Sequence, residues 1–211
     1  MPTIVADVGD HSDAAEHIRA KYGDRDKIHA VQYKKSFESG GGLVRTVRSR
    51  PELFANEVFI CCVDVLLDID ESEFLDFHRN KGGDISIALT TGSGVPNEGA
   101  YFVDSDGQVM YCAETNGSSV EDAPAGYTYR GSSTGAIIAN VDFLRDTPWQ
   151  LTDGPMSLYR DDRIIPRAIG SGSMFAFNNG DRYFTDVGTV ASWANASENH
   201  TTIAPYIHYT S

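Results

Sequence analysis

The 211-residue sequence predicts a single α/β domain with a mixed, mostly parallel sheet. Short apolar runs alternate with helical patterns through the first half of the chain. The second half contains a hairpin pattern, in which two short apolar runs flank a tight turn. Hydrophobic residues make up 41% of the chain, which is enough to bury a core and argues against wholesale disorder.

Strands and helices are predicted to alternate in the first half. They are, in chain order, a strand at 4–8, a helix from 12 or 13 to about 22, a strand at 29–33, a loop at 36–42, a helix starting near 43, a strand at 57–63, a helix at 70–79 and a strand at 84–90. The run at 57–63 is almost continuously apolar, which is typical of a strand buried on both faces of a parallel sheet.

The second half predicts more irregular structure. Its elements are a hairpin at 100–112 with its turn at 104–107, an excursion loop at 114–131, a strand at 134–139, a helical stretch from 153 or 157 to 169 broken by Pro166, a strand at 174–177 and a helix at 189–196. The last residues are polar and aromatic without clear periodicity and are predicted to form a tail.

Charge and hydropathy exclude several classes of function. The 30 acidic and 17 basic residues leave a net charge of −13, which repels phosphate backbones and disfavours a nucleic-acid-coating role. No apolar run approaches the roughly 18 residues of a membrane span, and the N-terminus has no signal-peptide pattern. A cytoplasmic protein is expected, with Cys61, Cys62 and Cys112 as buried, reduced thiols.

Two aspartates are candidates for a metal site. Asp64 follows the 57–63 strand, and ligands of open α/β sheets bind beyond the carboxyl ends of strands. Asp186 follows an aromatic strand far along the chain. Mg²⁺ typically takes one or two carboxylates and completes its shell with phosphate and water oxygens. From the residues alone, Asp64 can equally be a turn or helix-cap residue.

Several segments, taken together and in order, resemble the sugar-phosphate nucleotidyltransferases, which make nucleoside-diphosphate sugars. The matching segments are SGGGL at 39–43, FICCVDVLLDID at 59–70, FLDFH at 74–78, ISIAL at 85–89, GAYFVDSDGQV at 99–109, TGAII at 134–138, IIPR at 164–167 and DVGT at 186–189. Within the family, the spacing is most similar to the mannose- and heptose-1-phosphate guanylyltransferase branch.

The resemblance implies a fold, a reaction and a site. The fold is a Rossmann-like sandwich of the nucleotide-diphospho-sugar transferase type over residues 1–196, followed by a tail at 197–211. The reaction transfers a nucleotidyl group from an NTP to a sugar 1-phosphate and releases pyrophosphate. Asp64 and Asp186 are implied as catalytic residues that hold Mg²⁺. The implied substrate-binding residues are Gly40, Gly41, Glu114 and Gly135.

Departures from the family pattern imply impaired turnover. The strand at 4–8 matches the family's second strand, so the first strand and its triphosphate-binding G-x-G-T-R loop have no counterpart in the sequence. Thr115 replaces a family lysine, Val63 replaces the glycine before the metal aspartate, and Glu38 stands where a glycine is usual. Loss of one preorganised phosphate donor typically costs about 10²–10³ in rate.

Two other functions stay open at this stage. The first is a non-catalytic relative that binds a nucleotide sugar or serves as a regulatory subunit beside a complete enzyme. In either case the protein is expected to form a homo-oligomer or to complement another subunit. The second is a metal-dependent glycosyltransferase that uses Asp68-Ile69-Asp70 as a D-x-D motif.

Overall fold

The computed structural model describes residues 4–22, 28–91, 100–113 and 125–198, without the side chains of residues 129 and 130. The chain divides into two compact units, and the α/β class is confirmed. Unit 1 comprises residues 1–58 and 140–167, and unit 2 comprises residues 59–139 and 168–211. Glu114, most of the loop predicted at 114–131 and the tail beyond residue 198 lie outside the described residues. The prediction of one domain over 1–196 stays a prediction.

Unit 1 begins with a parallel strand pair joined by a helix. Strand β1 (Ile4–Asp7) leads through helix α1 (Ser12–Lys21) to strand β2 (Ile28–Val31). The two strands run parallel in register from Ile4 opposite Ile28 to Asp7 opposite Val31. Their carboxyl ends therefore lie at one edge, where α/β folds bind their ligands.

The glycine-rich segment of unit 1 is helical, which corrects the predicted loop at 36–42. Helix α2 spans Glu38–Ser49 and buries Gly40, Gly41 and Gly42. The amides of Gly40 and Gly41 both donate to the Met156 carbonyl oxygen at 3.0 Å. A Cβ on Gly40 would lie 2.9 Å from the carbonyl carbon of Ser157. The close approach of a second chain segment, which local propensity cannot reveal, explains why glycines occupy this helix.

The first residue of α2 has an unusual backbone conformation. Glu38 has a φ of 57°, in the left-handed region that favours glycine. A residue with a side chain adopts this conformation at a cost in free energy.

The remaining elements of unit 1 are short. Helix α4 covers Val141–Arg145, and helix α5, which crosses the unit boundary, covers Ile165–Gly170. The long helix predicted from 153 or 157 to 169 is not found, and Leu151–Asp153 form a 3₁₀ turn. Pro166 is the second residue of α5 and does not break it, because a helix does not need an amide donor in its first turn. The core includes buried Trp149, whose indole nitrogen donates to the Gly154 carbonyl.

Unit 2 is built on a sheet with the strand order β7-β6-β8-β5-β9, and β3 pairs with β8 beside this path. The strands are β3 (Glu57–Cys61), β5 (Ile85–Thr90), β6 (Ala100–Val103), β7 (Val109–Cys112), β8 (Thr128–Asn140) and β9 (Met174–Asn178). The predicted hairpin at 100–112 is confirmed as the antiparallel pair β6–β7.

The sheet is mixed, as predicted, but it is not mostly parallel. Among the strand pairs with a described register, β5–β9 is parallel in this sheet, whereas β5–β8, β6–β7 and β6–β8 are antiparallel. The cause is β8, which lies between β6 and β5 and runs in the opposite direction to both, so that its pairings with these two strands are antiparallel.

Strand β3 is less buried than its apolar sequence predicts. The strand ends at Cys61, Phe59 is 40% exposed and Val63 is 99% exposed in the following turn. Cys61 and Cys62 are also exposed, which corrects their predicted burial, while Cys112 is buried as predicted. The apolar run therefore predicts the strand correctly but does not predict its burial, because the strand is not covered on both faces.

Helix α3 (Glu71–Lys81) closes over one face of this sheet. Phe74 is fully buried and contacts the ring of Phe177 with a centroid distance of 5.0 Å. Asp70 is the N-cap, and its carboxylate accepts hydrogen bonds from the amides of Ser72 and Glu73 at 3.0 Å and from the Ser72 hydroxyl at 2.6 Å. Within the described residues, no helix is long and apolar enough to cross a membrane.

The packing of α2 predicts that Gly40→Ala destabilises the protein by about 1–3 kcal/mol, because the new methyl group meets backbone that has no room to move. Urea unfolding measures the change. The matched control is Gly170→Ala at the end of α5, where a Cβ meets nothing within 4 Å. That variant is expected to be neutral or slightly stabilising, and an equal loss in both variants would refute the packing explanation.

The α3 cap predicts a pH dependence. The Ser72 hydroxyl, followed by the Glu73 amide, holds the pKa of Asp70 below its ordinary value. A carboxyl whose pKa is lower in the folded state stabilises the fold at pH values above its unfolded-state pKa, near 3.9. This contribution is lost as the pH falls through the folded-state pKa. Asp70→Asn keeps a capping side chain but does not titrate.

Thermal unfolding of wild type and Asp70→Asn between pH 7 and pH 3 tests this expectation. The melting temperature of wild type should fall relative to that of the variant as the pH drops below about 4. Parallel curves for the two proteins would show that the cap does not titrate in this range.

Candidate functional site

The candidate site lies in unit 2, on a two-stranded ribbon. Strand β4 (Val65–Leu67) pairs antiparallel with strand β10 (Phe184–Asp186), and Asp186 stands opposite Val65. The Val187 amide donates to the Asp64 carbonyl oxygen at 2.7 Å and so extends the ladder by one residue. The pairing holds two segments that are distant in the chain at a fixed register.

The ribbon brings the two predicted aspartates together. A Cβ built on Gly188 would lie 2.9 Å from Oδ2 of Asp64 and 3.1 Å from Oδ1 of Asp186. The two carboxylate oxygens are therefore at most about 6 Å apart. The Gly188 amide also donates to Oδ1 of Asp186 at 2.8 Å. The two carboxylates thus lie on either side of the position that a side chain at residue 188 would occupy, and glycine leaves that position empty.

Both aspartates are exposed, and among the described residues neither forms an ion pair with a lysine or arginine. Two carboxylates at this separation repel each other unless a cation lies nearby. The negative charge also acts on Cys61: although the residue is exposed overall, neighbouring atoms partly desolvate its thiol, and this effect first, with the Asp64 charge second, raises the pKa of Cys61. The site is therefore strongly anionic.

Charge is distributed unevenly between the two units. Unit 2 contains 16 acidic and 4 basic residues, a net charge of −12, whereas unit 1 contains 14 and 13, a net charge of −1. Almost all of the excess negative charge therefore belongs to the unit that carries Asp64 and Asp186. Such a field attracts cations and repels anionic ligands. An anionic ligand would therefore bind here more readily after a cation has bound.

The donor set fits a hard divalent cation. Mg²⁺ needs oxygen ligands, and one or two carboxylates suffice when phosphate and water oxygens complete the octahedron. Asp64 and Asp186 supply that number of carboxylates. Among the described residues, no group of three or more His, Cys, Asp or Glu side chains could hold a metal ion. A cation bound here would therefore need ligands from its substrate or from water.

Gly135 is also in unit 2, within β8. Its φ is 76°, and a Cβ there would lie 3.2 Å from Sγ of Cys62 and 3.6 Å from a methyl carbon of Val65. The glycine therefore permits β8 to approach the segment that carries Asp64. Its predicted role under a sugar stays a prediction.

Gly40 and Gly41 lie in unit 1, where they are buried in α2. The space in front of Gly40 is occupied by backbone of residues 156–158, and the space in front of Gly41 by side chains of Phe37 and Trp149. Protein packing thus accounts for both glycines. Their predicted contact with substrate stays a prediction.

A shallow cavity of about 590 Å³ in unit 2 is lined by residues 68–72 and Arg182. It contains both aspartates of the D-x-D sequence. Asp70 uses its carboxylate to cap α3, so Oδ1 of that residue is already occupied by three donors. This engagement weakens the interpretation of Asp68-Ile69-Asp70 as a metal-binding motif.

Gly188 is the site residue that the sequence analysis did not single out. The glycine follows Asp186 in the DVGT segment, so a signal was present in the sequence. Its importance depends on the distance to Asp64, which only the β4–β10 pairing reveals.

Solved structures with the same fold include HddC from Yersinia pseudotuberculosis, with a TM-score of 0.71 and 17% identity over 95% of this chain and 79% of HddC. HddC complexed with GMP-PN gives a TM-score of 0.70 and 18% identity over 93% of this chain and 78% of the other. The inositol-1-phosphate CTP transferase from T. maritima gives a TM-score of 0.65 and 14% identity, over 98% of this chain and 78% of that protein.

These identities show the fold alone, and the Rossmann-like α/β fold that the resemblance implied is confirmed. No protein-family model matches the sequence, and no curated protein matches it significantly.

The geometry around Gly188 predicts that Gly188→Ala keeps the fold but disturbs the site. The new methyl group meets the ends of two exposed side chains, which can swing away, so the free energy of unfolding should change little. The displaced carboxylates should bind Mn²⁺, a probe for Mg²⁺, about tenfold more weakly in a paramagnetic resonance titration. Gly170→Ala serves as the control, and unchanged Mn²⁺ binding in Gly188→Ala would contradict the assignment.

Proposed function

We propose that the protein is a sugar-1-phosphate nucleotidyltransferase, which transfers a nucleotidyl group from an NTP to a sugar 1-phosphate and releases pyrophosphate. The observation that carries the proposal is the convergence of Asp64 and Asp186 beside Gly188 on a chain with the fold of HddC. The segments that resemble the nucleotidyltransferases in the same chain order support it, since the DVGT and CVD segments contain these two aspartates.

The chemistry needs charge neutralisation more than proton transfer. An oxygen of the sugar 1-phosphate attacks the α-phosphorus of the NTP, a new P–O bond forms, and the bond to the β-phosphate oxygen breaks as pyrophosphate leaves. Asp64 and Asp186 would hold a Mg²⁺ ion, which when bound offsets the charge on the phosphates. The chain's own contribution is to hold the two carboxylates in register and to leave space between them at Gly188.

The nucleotide is the part of the substrate for which the comparisons offer support. The complex of HddC contains GMP-PN, and the T. maritima protein is named as a CTP transferase that acts on inositol 1-phosphate. By analogy with the HddC complex, and by the spacing of its motifs, we propose a purine nucleotide and a sugar 1-phosphate of the mannose or heptose type as the substrates.

A non-catalytic relative that binds a nucleotide sugar is the second candidate. Thr115, which replaces the family lysine, and the low number of basic residues in unit 2 favour it. The glycosyltransferase alternative lacks such support, because the cap role of Asp70 occupies one aspartate of its D-x-D motif.

The proposal predicts pyrophosphate release from GTP and mannose 1-phosphate in the presence of Mg²⁺. Asp64→Asn and Asp186→Asn should each lower kcat/KM at least about 100-fold, because each variant removes a charged metal ligand while keeping the side-chain shape. A coupled phosphate assay with added pyrophosphatase measures the rate.

Asp76→Asn, an equal change at an exposed position of α3, is the matched control and should keep wild-type activity. Activity that survives in both site variants would overturn the metal assignment. Tight binding of a GDP-sugar without turnover in wild type would support the non-catalytic relative.

A further inference from the structure

Two cationic side chains of unit 1 lie over one aromatic ring. The Lys35 ammonium is 5.0 Å from the ring centroid of Phe37, and the guanidinium carbon of Arg45 is 4.8 Å from the same centroid. The guanidinium also lies 4.0 Å from the ring centroid of Tyr33. The two positive charges are therefore at most about 10 Å apart.

The aromatic rings that hold these cations are firmly placed. Tyr33 and Phe37 are buried and meet edge to face at 6.0 Å, and Phe37 makes a similar contact with Trp149 at 5.7 Å. The Tyr33 hydroxyl is hydrogen-bonded to the buried Thr46 hydroxyl at 2.5 Å. Arg45 thus rests on well-packed rings, and its N–H donors make no hydrogen bond within the described part of the chain.

No acidic side chain forms an ion pair with either cation among the described residues; the Asp7 carboxylate at the end of β1 accepts instead from the Thr46 hydroxyl, at 2.9 Å. Lys35 and Arg45 have neither a hydrogen bond nor an ion pair there, and the neighbouring Lys34 has none either. Other arginines of unit 1 differ. Arg163 pairs with Asp153, and Arg48 donates to three backbone carbonyls.

Like charges held this close favour an anion between or beside them. The location is also suitable, because Tyr33 and Lys35 follow the carboxyl end of β2, the edge at which α/β folds bind ligands. A stacked guanidinium offers a bidentate fork to phosphate oxygens, and an ammonium adds a point charge.

We propose that Lys35 and Arg45 form an anion clamp that binds the polyphosphate group of a ligand. A chain of two or three phosphates can engage the two cations separately, one phosphate at each head, which a single phosphate monoester cannot do as readily. The clamp is independent of the proposed nucleotidyl transfer, since it involves neither Asp64 nor Asp186.

Calorimetric titration of the full chain with pyrophosphate tests the clamp, in buffer with EDTA so that no divalent cation bridges the ligand to the acidic unit. Lys35→Met and Arg45→Met should each raise the Kd for pyrophosphate about tenfold or more. Arg45→Lys, which keeps the charge and loses the fork, should give a smaller rise. Lys21→Met is the matched control, because Lys21 also lies over a ring, that of Tyr22 at 5.2 Å, and it should stay within twofold of wild type.

Circular dichroism checks that each variant folds, and Lys35, being exposed, keeps the test decisive if Arg45→Met unfolds. Failure of wild type to bind millimolar pyrophosphate, or equal weakening by Lys21→Met, would overturn the clamp. Methyl phosphate forms the second arm, and an affinity equal to that of pyrophosphate would overturn the polyphosphate assignment. Because no turnover is measured, a negative result here leaves the assay of Asp64 and Asp186 unaffected.

Discussion

The antiparallel pairing of β4 with β10 is the constraint on which the candidate site depends. It fixes Asp186 opposite Val65, and the hydrogen bond from the Val187 amide to the Asp64 carbonyl continues the ladder to the aspartate itself. Two exposed carboxylates would otherwise move apart to reduce their repulsion. The ribbon keeps the backbones of the two residues close through hydrogen bonds, so that only the side-chain ends can move, and Gly188 leaves the gap between the carboxylates open.

The charge distribution separates two chemistries within one chain. Unit 2 concentrates negative charge around a carboxylate pair that suits a cation, while unit 1 is almost neutral and carries 13 of the 17 basic residues. Each unit is thus suited to a ligand of opposite charge to its own side chains: a cation at the carboxylates of unit 2, and an anion at Lys35 and Arg45 of unit 1.

Close packing explains residues that resemble ligand contacts in the sequence alone. The glycines of α2 match a substrate-binding loop by pattern, yet in the structure they let α2 approach the segment at 156–158. Asp70 matches half of a metal-binding motif, yet it caps α3. In both cases the residue has a role in the fold, while Asp64 and Asp186 are exposed and lie close together beside Gly188.

The order and type of most elements were determined by the sequence itself, because periodicity, caps and turns are local. The hairpin at β6–β7, the capped helix α3 and the β1–α1–β2 unit all follow from such signals. Asp64 and Asp186 could be chosen as site residues from their places beside strands. Tertiary structure alone decided the direction of β8, the helical state of Gly40–Gly42, the exposure of Cys61 and the meeting of two aspartates at Gly188. Each of these depends on contacts between segments distant in the chain, whose free energies no local pattern encodes.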